Sequence, residues 1–370
     1  MKKLICLMLI ATMCVTEISA IEGISARSAI LMTENGEVLW ENNADERLEP
    51  ASVTKIMTLI LVAEAIEEGR ISLDDVITVS QYASSMGGSQ IWLKEGEQMS
   101  VRDMLKALVV VSANDAATAL AECIGGTEET FVRMMNDKAE ELGMTNTTFV
   151  NCNGLDAEGH LTTARDIAIM SREALKHDII FEYTKIWMDY IRNGESVLVN
   201  TNKMIRKYAG MTGLKTGYTS SAGYCLSATA ERDGLSLIAV TMKNSTTDER
   251  SADITSMLNY GFANYKCVDV RNEVTIPEVA VELGKVDYVE TELGGENEIV
   301  LSKNAENIEY VAEIAETIQA PVTKGEKVGE IVVKIDGKNV KTLDITAAET
   351  IEKLTLKEIF TKLMCIAISR

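Results

Sequence analysis

Ser52 and Lys55 stand three residues apart in Pro50-Ala51-Ser52-Val53-Thr54-Lys55, at the head of the apolar run Ile56-Met57-Thr58-Leu59-Ile60-Leu61-Val62-Ala63. On a helix this spacing puts both side chains on one face with their Cβ atoms about 5–6 Å apart, near enough to share a proton. The pair can serve as a nucleophile and its own base. Two further short motifs follow, Ser112-x-Asn114 and Lys215-Thr216-Gly217. Each alone has an ordinary reading: Ser-x-x-Lys is common in helices, Ser112 and Asn114 could form a simple turn, and Lys215 could be a solvated strand lysine. Their order, on a helix, a loop and a strand, is what makes the set specific.

The base has to be a lysine. His160 and His177 are the chain's only histidines, and neither lies near a serine in a recognisable nucleophile elbow, which argues against a Ser-His-Asp triad. His160, in Gly159-His160-Leu161-Thr162-Thr163, reads as a structural hydrogen-bonding residue just before a helix. An ordinary lysine, with a pKa of about 10.4, is protonated at neutral pH and cannot accept a proton. Burial, a helix N-terminus and a neighbouring cation each disfavour the charged form. An apolar helix around Lys55 and Lys215 on a facing strand would supply such effects. The expected chemistry is therefore proton abstraction from Ser52 by neutral Lys55, with Ser112 relaying the proton to the leaving group. It requires neither cofactor nor metal, and the cysteines show no CxxC and no metal-like spacing.

Several elements must position these residues. Ser28-Ala29-Ile30-Leu31-Met32 and Glu37-Val38-Leu39-Trp40 flank an Asn35-Gly36 hairpin signal. Pro50 suits a helix first turn, and the helix after Ser52, apolar nearly all round, should be central. Gly87-Gly88-Ser89 reads as a flexible loop. Val111 to Asp115 interrupt a helical period running from Met104 to Leu120, so their small polar side chains can point into a cavity. Two amphipathic helices follow, near Glu128 to Leu142 and Ala164 to Lys176. Strands are expected at Gly213–Tyr218, Tyr224–Ala230 and Leu235–Met242, with Asp233-Gly234 between the last two, and a helix from Ile254 to Tyr265. An early hairpin, a helical middle and late strands imply an α/β sandwich whose two chain ends share one antiparallel sheet.

With these motifs in place, the chain resembles the low-molecular-mass penicillin-binding proteins, the serine-type D-alanyl-D-alanine carboxypeptidases. The resemblance covers the whole sequence and implies an antiparallel sheet with helices on both faces and a helical subdomain, followed by a small all-β domain. By resemblance, Lys215 and Thr216 face the free carboxylate of a terminal D-alanine, and Gly217 lets the strand backbone approach the peptide. The oxyanion hole would be the backbone N–H groups of Ser52 and Tyr218. Asn114 would bond the substrate amide and help hold Lys55, while Arg250 is a second partner for the carboxylate or else a surface arginine. The implied partners are the peptidoglycan stem peptide and β-lactams, as covalent inhibitors. Class A β-lactamases share the three motifs but add a Glu-x-x-x-Asn pattern; none lies between Ser112 and Lys215, so fast antibiotic hydrolysis is not expected. Endopeptidase cleavage of cross-links uses the same chemistry, and a non-catalytic wall-binding protein of the same fold is a further alternative.

Composition sets the outer bounds. With 370 residues, 46% of them hydrophobic, the chain can bury a large core and divides more readily into two domains than one. A net charge of −20 disfavours a nucleic-acid partner. Met1-Lys2-Lys3 and the apolar run from Leu4 to Ala11, with Ile18-Ser19-Ala20 as cleavage site, read as an export signal over residues 1–20, the alternative being an uncleaved anchor. A catalytic domain is expected over 21–268 and a β-rich domain over 269–348. An amphipathic helix is expected over 349–370, lying in a membrane surface or packed on the β domain. Export would place the protein on the outer face of the cytoplasmic membrane, facing the cell wall. The remaining cysteines read as buried thiols, with a Cys123–Cys152 bridge as the alternative.

Overall fold

A computed structural model describes residues 21–368; the expected export signal lies outside the described residues. Strands β1 (Ser28–Thr33) and β2 (Val38–Asn42) form the predicted hairpin, with Gly36 at a φ of +90° in its turn. A one-turn 3-10 helix, Ala51–Thr54, then leads into α1 (Lys55–Glu67), which is buried almost all round. A helical lobe follows. It comprises β3 (Val76–Thr78), α2 (Gln81–Ser84), β4 (Gln98–Ser100), α3 (Val101–Val110), α4 (Asn114–Gly125), α5 (Glu128–Glu141), α6 (Ala164–Ala174) and α7 (Asp178–Thr184). A projecting hairpin, β5 (Met188–Ile191) and β6 (Ser196–Val199), and a short α8 (Met204–Lys207) return the chain to the sheet. Strands β7 (Met211–Thr219), β8 (Gly223–Arg232) and β9 (Leu235–Asn244) then precede α9 (Thr247–Asn264).

The five-stranded sheet runs β2-β1-β9-β8-β7. The first strand pairs antiparallel with β9, Ile30 opposite Val240, so the two ends of the domain do share one sheet. Alternation along the strands divides the core. Ile30, Met32, Ile238 and Val240 face α1 and the helical lobe, while Ala29, Leu31, Leu237 and Ala239 face Ile254, Met257 and Leu258 of α9. A Cβ on Gly261 would lie 2.5 Å from Leu237 Cδ1, so this glycine lets α9 close on the sheet. Each fully buried Leu or Ile on these faces contributes about 1.5–3 kcal/mol.

The expected boundary between residues 268 and 269 falls inside a strand. Strand β10 (Tyr265–Asp269) follows α9 directly and pairs with β14 (Glu298–Ser302), tying the domains together through backbone bonds. Between and beyond them lie β11 (Val279–Glu282), β12 (Tyr288–Val289), β13 (Thr291–Leu293), β15 (Ile308–Ile314), β16 (Thr317–Gln319), β17 (Lys327–Ile335) and β18 (Lys338–Ala347). Val270, Val289, Ile331, Val333 and Ile345 form a separate core. The terminal helix α10 (Leu356–Ile368) starts later than residue 349. Ile351 is buried and exchanges both backbone bonds with Val322, which holds the preceding segment on the β domain. Cys152 and Cys225 are buried thiols, but Cys123 and Cys365 are exposed and Cys267 is half-buried. Cys123 and Cys152 are not bridged.

Candidate active site

Ser52 sits in the 3-10 turn and Lys55 is the first residue of α1. A 3-10 turn has three residues per turn, so positions i and i+3 eclipse more closely than in an α-helix. Lys55 Nζ accordingly lies 3.0 Å from Ser52 Oγ. The same Nζ donates to Asn114 Oδ1 and to the backbone oxygen of Asn153, each at 2.6 Å. Both of these partners are acceptors only, so they take the two N–H bonds of a neutral amine and leave its lone pair for the Ser52 hydroxyl. Lys55 is fully buried, and this burial lowers its pKa to about 7, against the opposing pull of the Cys152 sulfur and the Asp115 carboxylate.

Asn114 is held from behind. Its Nδ2 donates to the Gly87 oxygen at 2.7 Å and its backbone N–H to the Ser89 oxygen at 2.7 Å. Gly88 has a φ of +78°, and a Cβ there would lie 2.8 Å from Asn114 Nδ2. The segment expected to be merely flexible is therefore a fitted support. Between α3 and α4, Ser112 takes a φ of +62°, a strained conformation for a non-glycine residue. Its Oγ is buried and has no hydrogen-bond partner among the described residues.

A fourth side comes from Asn151-Cys152-Asn153-Gly154, which the motif reading does not identify. Asn151 Oδ1 accepts from the N–H groups of Asn153 at 3.3 Å and Gly154 at 2.7 Å, and Thr58 Oγ1 donates to the Cys152 oxygen at 2.6 Å. These bonds aim the Asn153 carbonyl at Lys55. The Asn-x-Asn-Gly pattern, with its tendency to side-chain-closed turns, was the available signal.

Strand β7 forms the facing wall. Lys215 is buried and donates to the Thr216 oxygen at 2.9 Å. Burial holds its pKa well below the usual lysine value, and the nearby cations Lys55 and Arg250 depress it further. Burial is the largest cause at both lysines, and the cation repulsion expected at Lys55 is found at Lys215 instead. Thr216 Oγ1 is 2.8 Å from Thr201 Oγ1. The space that Gly217 leaves is taken by the nucleophile's own turn, since a Cβ there would lie 2.9 Å from the Pro50 oxygen and 3.1 Å from the Ser52 nitrogen. Tyr218 is exposed at the lip, its ring 4.4 Å from that of Tyr224. Arg250, on α9, is buried rather than superficial; it donates to the Cys225 oxygen at 3.4 Å, and its Nε has no partner among the described residues.

His160 is a structural hydrogen-bonding residue, as expected. Its Nε2 lies 2.8 Å from Thr54 Oγ1, its Nδ1 accepts from the Val150 N–H at 2.9 Å, and burial pushes its pKa down to about 4. As a neutral residue it ties the nucleophile's turn to the Asn151 loop. No group of three or more metal-ligating side chains occurs among the described residues.

The half-buried Ser52 and the buried Lys55, set between one antiparallel sheet and a helical lobe, have the arrangement of a serine peptidase site. The chain belongs to the D-alanyl-D-alanine carboxypeptidase family, which it matches over residues 15–246. Residues 270–353 match the C-terminal domain of penicillin-binding protein 5. The chain is 42% identical over 337 residues to the D-alanyl-D-alanine carboxypeptidase DacF of Bacillus subtilis strain 168, an alignment spanning 89% of this chain and 86% of that one. It is 34% identical over 341 residues to DacC of Escherichia coli K12, over 89% and 85% of the two chains. It superposes on penicillin binding protein 5 from Haemophilus influenzae with a TM-score of 0.77 and 30% identity, covering 90% of this chain and 98% of the other.

Proposed function

We propose that this protein is a serine-type D-Ala-D-Ala carboxypeptidase that removes the terminal D-alanine from peptidoglycan pentapeptides and is acylated by β-lactams at the same serine. The observation that carries this reading is the Lys55 amine, buried and bonded to two acceptors with Ser52 Oγ 3.0 Å away. Lys55 takes the Ser52 proton as Oγ attacks the penultimate carbonyl. The developing oxyanion accepts from the backbone N–H groups of Ser52 and Tyr218. Arg250 supplies positive charge, Lys215 an N–H donor and Thr216 a hydroxyl for the terminal carboxylate. The unpartnered Ser112 hydroxyl passes the proton to the departing amine, and water then hydrolyses the acyl-enzyme. The decisive experiment measures D-alanine released from a pentapeptide by the wild type and by Ser52→Ala, with the penicillin-labelled peptide located by mass spectrometry.

The pH dependence follows from the lowered lysine. The base works only when neutral, and its neutral fraction rises with pH. The second-order rate of acylation by penicillin is expected to climb about tenfold per pH unit below 7 and to level off above it. Rates that stay flat, or fall, between pH 5 and 9 would remove Lys55 from the role of base.

The reading extends to location: export through residues 1–20, and attachment of α10 to the outer face of the cytoplasmic membrane. Leu356, Phe360, Leu363 and Met364 of α10 are exposed, as an interfacial helix requires. No helix of the described residues is long and apolar enough to cross a membrane. Removing residues 356–370 is expected to move the protein from sedimenting vesicles to the supernatant with D-alanine release intact. Equal vesicle binding by both forms would refute the attachment.

A further inference from the structure

Ala51, the residue before the nucleophile, is buried and has a φ of +47°, a left-handed conformation that a non-glycine residue keeps only where its surroundings hold it. Its carbonyl and the Ser52 N–H belong to one trans peptide unit. Because that unit is planar, the oxygen and the N–H point in opposite directions. Whatever fixes the Ala51 oxygen therefore also aims the Ser52 N–H.

Three hydrogen bonds run to that oxygen in series. The Val150 N–H donates to His160 Nδ1 at 2.9 Å, His160 Nε2 lies 2.8 Å from Thr54 Oγ1, and Thr54 Oγ1 donates to the Ala51 oxygen at 2.8 Å. The ends of the series fix its proton positions. A backbone N–H can only donate, so Nδ1 is the bare nitrogen, and a neutral imidazole then carries its hydrogen on Nε2. That Nε2–H donates to Thr54 Oγ1, which leaves the hydroxyl hydrogen for the Ala51 oxygen. His160 is 2% exposed and Thr54 0%, which shields these bonds from water. The burial that pushes the His160 pKa down to about 4 keeps the ring neutral. Thr54 stands at the N-terminus of α1, yet its side chain makes no capping bond there; the hydroxyl is turned back on Ala51 instead.

We propose that His160 is a positioning residue for the oxyanion hole: through Thr54 it holds the Ala51–Ser52 peptide so that the Ser52 N–H faces the developing oxyanion. This rests on the reading above, in which that N–H is one of the two oxyanion donors. A donor aimed at the oxyanion is worth more in the transition state than against the ground-state carbonyl. Loosening the series therefore slows attack and leaves substrate binding almost unchanged.

The test measures the first-order rate of acylation by saturating penicillin, which counts only folded enzyme, together with kcat and KM for D-alanine release. It compares the wild type with Thr54→Val, Thr54→Ser, His160→Leu and His160→Gln. Valine keeps the shape of Thr54 without the hydroxyl; glutamine can place an N–H where Nε2 stands, and leucine cannot. Removing an oxyanion donor outright costs about 10²–10³-fold, so a donor kept but misaimed is expected to cost about 10–100-fold in Thr54→Val and His160→Leu. The loss falls on kcat and on the acylation rate, with KM changed by less than about twofold. Thr54→Ser and His160→Gln recover most of it. The pH at which acylation levels off stays near 7 throughout, because the bonds of Lys55 are untouched. Wild-type acylation in Thr54→Val, or a loss in His160→Gln as large as in His160→Leu, would overturn the positioning role. A shift of that pH would overturn it too, since it marks a displaced Lys55. A wild type that penicillin acylates but that releases no D-alanine would overturn the carboxypeptidase reading, while the acylation rates still decide the role of His160.

Discussion

Ser52→Ala is expected to lower D-alanine release by roughly 10⁴–10⁶-fold, and Lys55→Ala to do nearly as much, the range seen when one member of a catalytic unit is removed. Without Lys55, no other group hydrogen-bonded to Ser52 Oγ among the described residues can take its proton. The remaining neighbour, the Asn153 carbonyl at 3.5 Å, is no base at neutral pH. Because the two residues act in one step, the double variant should be little worse than either single one. D-alanine assay and intact-mass measurement after penicillin treatment read both effects. Acylation of Lys55→Ala at the wild-type rate would show that the proton leaves by another route.

The second large effect is structural and sits at Gly154. Its φ is +85°, and a Cβ there would lie 1.9 Å from the Ala51 oxygen and 2.9 Å from the Ser52 nitrogen. Gly154→Ala must push the Asn151 loop away from the nucleophile's turn, and the Asn153 oxygen moves with it. A loss of about 2–4 kcal/mol is expected, in line with steric mutations at special backbone positions, with a Tm lower by roughly 5–15 °C and slower acylation. Gly159→Ala is the control. Gly159 has a φ of +83° but nothing within 4 Å of its would-be Cβ, so it carries only the backbone cost of about 1 kcal/mol. Equal Tm losses in the two variants would show that close approach to Ala51 is not what requires Gly154.

Much of the molecule is written locally. The Ser52–Lys55 spacing, the Asn35-Gly36 and Asp233-Gly234 turns, the apolar run of α1 and the alternation of β8 and β9 are short-range patterns that follow from backbone geometry. They sufficed for the α/β fold and for the helix, loop and strand that carry the three motifs. The boundaries were less legible, because β10 is defined by its partner β14 and the start of α10 by the bonds between Ile351 and Val322.

Tertiary structure alone decided how the motif residues are held. Asn153 reaches Lys55 across 98 positions of sequence, and through a backbone oxygen that has no side-chain identity to read. Arg250 became a buried cation because α9 lies against β8 and β9. Gly217 makes room for the nucleophile's turn, and Thr201 meets Thr216, through packing between elements distant in the chain. The sequence by itself determined which groups could react. Burial, which depends on every layer around Lys55 at once, decided that its amine titrates near neutrality.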